Sequence, residues 1–151
     1  MTEISFYQLT SSSMESALPR LLEKAYASGK RALVLAANDE KAEEYNRVFW
    51  TYHPNRFLPH GSAKDGNAGE QPIFITTDFS QNPNGSEILA VTNGHEPADF
   101  IGFSRILDIF DGKDAAALEK ARARWKTYKS RDFTLSYFQQ DAAGKWEKAE
   151  I

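Results

Sequence analysis

The stretch GKRALVLAANDEKAEEYNRVFWTYHPNRFLPHG, residues 29–61, decides how this chain reads. It opens on a basic turn, Gly29-Lys30-Arg31. The most apolar run of the protein follows, Ala32 to Ala37. That run is continuous rather than alternating, as expected of a strand covered on both faces, and it marks the expected centre of a sheet. Asn38 or Asp39 stands where a helix N-cap belongs, with Glu40 near the positive end of the helix. Ala42, Tyr45, Val48 and Phe49 form the inner face of that helix. Thr51 to Gln71 then reads as one long loop, punctuated by Pro54, Pro59, Gly61, Gly66 and Gly69. A loop of this length in a compact domain is usually functional or mobile.

Outward from this block, strand and helix signals alternate. Ile4 to Leu9 predicts a first strand. Ser11 to Ser13 is a turn or cap. Met14, Leu18, Leu21, Leu22, Ala25 and Tyr26 recur at helical spacing up to Gly29, with Pro19 easiest to place in the first helical turn. Pro72 to Thr77, Glu87 to Thr92 and Ser104 to Phe110 predict further strands. A turn is expected at Gln81 to Gly85, another at Asn93-Gly94, and a short helix at Glu96 to Gly102. Asp114 to Ser130 is a long helix, Phe133 to Gln139 a last strand, and residues 145–151 a frayed tail. This order argues for one α/β domain over residues 1–151, a sandwich with a mostly parallel central sheet.

Composition narrows the function classes. The chain has 151 residues and a net charge of −3, which disfavours a globally basic nucleic-acid binder. There is no cysteine, so disulfides, thiolate catalysis and thiolate metal sites are all excluded. That is compatible with a reducing cytoplasm, the expected location. No basic, apolar leader opens the chain and no run approaches a membrane span, so neither a signal peptide nor membrane insertion is expected.

Catalytic motifs are missing. No G-x-x-x-x-G-K-[ST] occurs, and no G-x-G-x-x-G follows the first strand. Asn38-Asp39-Glu40 superficially resembles a magnesium-binding acid pair at a strand end, but without a phosphate cradle it reads as a helix cap. His53 and His60 lack metal-helix spacing, and His95 follows the Asn-Gly turn; none is tied to a nucleophile or an acid. No catalytic residue, metal site or cofactor is expected.

Two binding signals remain. Between Lys113 and Arg131 the cations are Lys113, Lys120, Arg122, Arg124, Lys126, Lys129 and Arg131, against only Asp114 and Glu119. At helical spacing Arg122, Lys126 and Lys129 share one face, and Leu118, Ala121, Trp125 and Tyr128 another. Such a face can hold an acidic peptide or its terminal carboxylate. It reads equally as a solvated helix surface over a core-facing Trp125. The second signal is Trp50, Tyr52, Pro54, Phe57, Leu58 and Pro59, a rigid apolar cluster suited to a partner interface or to folding back over the sheet edge.

Taken in order, the early Phe6-Tyr7, Gly29-Lys30-Arg31, Trp50 with Phe57, Pro59, His60 and Gly61, Gln71-Pro72, Ala98-Asp99-Phe100, Arg124-Trp125-Lys126-x-Tyr128 and Phe133 resemble the chi subunit of bacterial DNA polymerase III holoenzyme. The resemblance implies a three-layer Rossmann-like sandwich without a functional nucleotide-binding loop. It implies a non-catalytic accessory subunit of the clamp-loader assembly in DNA replication. That subunit binds the acidic C-terminal tail of single-stranded-DNA-binding protein, pairs with the psi subunit, and in some bacteria meets a helicase. By motif, Arg122, Trp125 and Lys126 carry over to the tail site, with Arg124 and Lys129 beside them. Leu118 stands where a basic residue is expected one turn earlier, with Lys120 nearby, which shifts or weakens the pocket. Trp50, Tyr52, Pro54, Phe57, Pro59 and His60 fall in the region expected to meet psi or another clamp-loader subunit. The rival readings are a degenerate nucleotide-binding hydrolase built on Asn38-Asp39-Glu40, and a direct binder of single-stranded DNA through the basic helix.

Overall fold

The computed structural model describes residues 2–53, 58–62, 65–77, 82–92, 103–131 and 133–149. In chain order the elements are β1 (Glu3–Leu9), α1 (Met14–Ala27), β2 (Ala32–Leu35), α2 (Asp39–Thr51), β3 (His60–Ser62), β4 (Ile73–Thr76), β5 (Ile88–Val91), β6 (Arg105–Asp111), α3 (Ala115–Ser130), β7 (Thr134–Gln140) and β8 (Trp146–Lys148). The strands form one eight-stranded sheet in the order β3-β4-β2-β5-β6-β1-β7-β8. Every pairing is parallel except β7 with β8. The apolar run at Ala32 thus becomes an interior strand, β2, but not the central one; β5 and β6 occupy the middle.

The strands carry apolar side chains on both faces because helices cover both. On one side α1 packs on β2 and β6, and α2 on β3 and β4. Leu18, Leu22, Tyr45 and Phe49 meet Val34, Ile73, Ile75, Ala90 and Ile109 there. On the other side α3 packs on β6 and β7, burying Tyr128 and Ala121 against Phe6, Leu89, Ile106 and Phe110. This is the expected three-layer α/β sandwich.

The helices begin and end where local chemistry dictates. Ser13 caps α1 by accepting from the Ser16 amide, and Gly29 closes its end at φ +82°. Asn38 caps α2, its Oδ1 accepting from the Lys41 amide at 2.8 Å. Asp114 caps α3 by accepting from the Ala116 and Ala117 amides. Pro19 departs from expectation: α1 starts at Met14, so Pro19 lies in its second turn, buried.

The structure departs from expectation at two further places. The loop from Thr51 to Gln71 contains the edge strand β3, held by Ser62, whose amide donates to Asp65 at 2.8 Å and whose hydroxyl donates to Glu43 at 2.8 Å. Residues 146–148, expected in a frayed tail, form β8 against β7. The Asn93-Gly94 turn, His95, the 96–102 helix and the Ala98-Asp99-Phe100 motif lie outside the described residues.

The two ends of the chain are tied at the carboxyl edge of the sheet. Gln140, closing β7, accepts through Oε1 from the Thr10, Ser11 and Ser12 amides at 3.0, 3.2 and 3.2 Å. Its Nε2 donates to the Ser12 hydroxyl at 3.0 Å.

Candidate functional site: the basic face of the third helix

α3 turns its polar and apolar residues as the spacing requires. Ala121 and Tyr128 are buried, Leu118 and Trp125 half-buried, and Arg122, Lys126 and Lys129 exposed. Trp125 lies edge-on to Phe6 and to Tyr137, at 5.4 and 5.7 Å between ring centroids. It is therefore anchored by aromatic packing while part of its surface faces out. Tyr137 donates a short hydrogen bond to Gln8 Oε1. Burial pushes its hydroxyl up to about 12, and the nearby Arg122 guanidinium opposes that rise. Arg122, Trp125 and Lys126 thus compose one surface, cations beside an aromatic ring that buried Tyr137 and Phe6 hold from below.

Arg124 is not part of that surface. It is 3% exposed and points into the sheet, where Nε and Nη2 donate to the two carboxylate oxygens of Asp108 at 2.7 and 2.8 Å. The bidentate pair neutralises both charges inside the core. The geometry sets Arg124 apart from exposed Arg122, Lys126 and Lys129, with which it was expected to act, because its charge is spent on Asp108. In the sequence, Asp108 interrupting an apolar strand signals a need for some cation, but nothing there shows that Arg124 is the one. Lys120 and Arg124 also line a 270 Å³ cleft at the amino-terminal half of α3, together with Asp111 and the N-cap Asp114.

The α2 and β3 region separates into surface and core. Trp50 is 55% exposed, with its ring 4.6 Å from His60. Tyr52 is half-buried and donates to Glu23 at 3.0 Å. Pro59 is half-buried. His60, expected at an interface, is 5% exposed, with Nδ1 2.6 Å from the Leu58 carbonyl and Nε2 2.9 Å from the Asn46 carbonyl. It braces β3 against α2. Pro54 and Phe57 lie outside the described residues. Arg31 likewise braces the fold: its Nη1 donates to the Gly69 and Asn84 carbonyls at 2.8 and 2.9 Å.

The nucleotide reading meets two obstacles. In parallel α/β sheets the loop after a strand, opening a helix, presents successive amides to a phosphate. Here the amides of residues 10–12, between β1 and α1, are taken by Gln140 Oε1. The cleft beside Asp39 holds about 160 Å³ and is walled by Asp39 and Glu43, whose charges repel phosphate. Among the described residues no His, Cys, Asp and Glu group forms a metal cluster, and no helix is long and apolar enough to cross a membrane.

Comparison with known proteins accords with this architecture. The model of the family "DNA polymerase III chi subunit, HolC" matches residues 1–136. The chain is 28% identical to the probable DNA polymerase III subunit chi of Rickettsia prowazekii, over 98% of this chain and 92% of that one. It is 28% identical to DNA polymerase III subunit chi of Haemophilus influenzae, over 87% of this chain and 92% of that one. To the Escherichia coli subunit it is 25% identical, over 83% and 84% of the respective lengths. With one family matched from the first strand into β7, the chain belongs to the DNA polymerase III chi subunits.

Proposed function

We propose that this chain is a non-catalytic adaptor of the replicative polymerase that holds the acidic C-terminal tail of single-stranded-DNA-binding protein on α3. The observation that carries this reading is the line of exposed cations, Arg122, Lys126 and Lys129, beside the anchored Trp125. The tail's terminal carboxylate meets Arg122 or Lys126 through charge-assisted bonds, and its last apolar side chain lies against Trp125. Half-buried Leu118 adds apolar surface where a cation would add charge, so the pocket leans on packing more than on attraction at that end. Single contacts of this kind are moderate, and repetition along coated DNA supplies avidity.

In the same proposal, exposed Trp50 with Tyr52 and Pro59 forms the surface for psi or another clamp-loader subunit, and for a helicase where one binds. The site of action is the cytoplasm, and contact with DNA is indirect. Calorimetric titration of a tail peptide tests the placement. Arg122→Ala/Lys126→Ala is expected to weaken binding at least tenfold, about 1.4 kcal/mol. Equal affinities for wild type and variant would sink it.

A further inference from the structure

The face of the sheet opposite α3 carries a second basic groove. Two adjoining cavities, 380 and 570 Å³, share Leu21, Lys24 and Trp146 in their walls. They lie between the flank of α1 and the β7–β8 end of the sheet. Arg20, Lys24 and Lys145 stand at the outer cavity, with Glu23 the one acid among its described lining residues. Glu23 already accepts from the Tyr52 hydroxyl. The inner cavity is floored by Leu107, Ile88 and Phe138, with Arg105 among them. Tyr7 stacks on Phe138 at 5.0 Å and meets Trp146 edge-on at 5.1 Å, so the aromatic wall is rigid.

Arg105 is under-satisfied. Its Nη2 donates to Tyr7 at 3.0 Å and Ser5 at 3.4 Å, while its buried Nε meets no partner among the described residues. Among the described residues no carboxylate lies within ion-pair distance of it, although Glu3 is its register partner on β1. Lys30 is shared with Glu87 at 3.9 Å. The carbonyls of the last turn of α1, which would repel an anion, are capped by the Ser28, Gly29 and Lys30 amides. In a chain of net charge −3, cations gathered around an apolar floor select an anionic, partly apolar ligand. The wall residues Phe138, Lys145 and Trp146 also follow residue 136, where the family match ends.

The geometry points to this groove as a second docking site, for an acidic peptide segment with an apolar anchor, separate from α3. Carboxylates meet Arg20, Lys24 and Lys145 at the rim, and a Leu- or Phe-sized side chain enters above Leu107 and Phe138. A carboxylate carried inward faces the Arg105 guanidinium. A peptide suits the apolar floor better than a nucleic acid, whose base edges would find few polar partners there.

The chain has three tryptophans, so indole N–H signals in a ¹⁵N–¹H spectrum report Trp50, Trp125 and Trp146 separately. The probe is the hexapeptide Asp-Glu-Asp-Leu-Asp-Phe with a free carboxylate. The Trp146 signal is expected to move saturably. Lys24→Glu/Lys145→Glu, both at exposed positions, weakens that movement at least tenfold, and Arg122→Ala/Lys126→Ala leaves it unchanged. A static Trp146 signal, or one insensitive to the charge reversals, overturns the inference. So does saturation by a twelve-residue oligothymidylate at lower concentration than the peptide, or movement on protein dilution alone, which would assign the groove to nucleic acid or to a second copy. The α3 reading stands or falls separately on the Trp125 signal.

Discussion

Replacing Arg124 by Met should be among the most damaging single changes in the molecule. It strips the Asp108 carboxylate, 2% exposed, of donors at 2.7 and 2.8 Å. Each charge-assisted bond is worth about 1.5–3 kcal/mol net. Removing one partner of a buried pair costs about 3–5 kcal/mol, because the surviving charge stays in the core. With a urea dependence of about 2 kcal/mol per molar, the unfolding midpoint falls by roughly 2 M. The double exchange Asp108→Leu/Arg124→Met removes both charges and should return to within about 1 kcal/mol of wild type, or exceed it. Urea titrations followed by far-ultraviolet circular dichroism measure all three proteins. A single variant within about 0.3 M of wild type refutes the buried pair. A double variant no better than the single refutes the claim that the cost is an orphaned charge. If α3 holds the acidic tail as proposed, the refolded double variant should bind it within about twofold of wild type, less than 0.5 kcal/mol, since Arg124 and Asp108 are only 3% and 2% exposed. A tenfold loss would return Arg124 to the binding face.

Tyr137 makes stability fall at alkaline pH. Its folded-state pKa is raised to about 12, so its contribution is complete below the unfolded value near 10 and is lost as pH climbs towards 12. The loss approaches ~2–3 kcal/mol, and Tyr137→Phe should flatten that limb in denaturation curves at pH 9 to 12. Asn38→Ala removes the cap of α2 and should cost about 1 kcal/mol in thermal or urea unfolding, with Asn38→Gly costing less. At Gly112 a Cβ would lie 2.7 Å from the Leu9 carbonyl oxygen and against the Gln8 side chain. Gly112→Ala should therefore destabilise by about 1–3 kcal/mol, and a smaller shift in the urea midpoint would show that this turn can give way.

Periodicity made most of the sheet legible. Ile4 to Leu9, Ala32 to Ala37 and Ser104 to Phe110 announce themselves by apolar content, and their structural counterparts differ by one or two residues at the ends. β3 and β8 were not legible, because three residues such as His60-Gly61-Ser62 carry no period, and their pairing is set by neighbours far along the chain. The exposed half of the candidate site followed from helical spacing: Arg122, Lys126 and Lys129 stay outside and Trp125 lies between seam and solvent. Arg124 and His60 did not follow. Spacing on one helix shows which way a side chain turns but not whether a buried acid on another strand awaits it. A histidine in a proline-rich loop shows nothing of the two carbonyls that clasp it.

Gln140 ties the last stretch of the chain to its first turn. Its amide oxygen holds three consecutive backbone N–H groups ahead of α1, though it comes four residues after the region that the family model matches. Trimming the chain to that matched core would therefore damage the opposite terminus. Amide exchange at residues 10–12 would accelerate, and a protease would find a new cut site at the beginning of the sequence as well as at the shortened end.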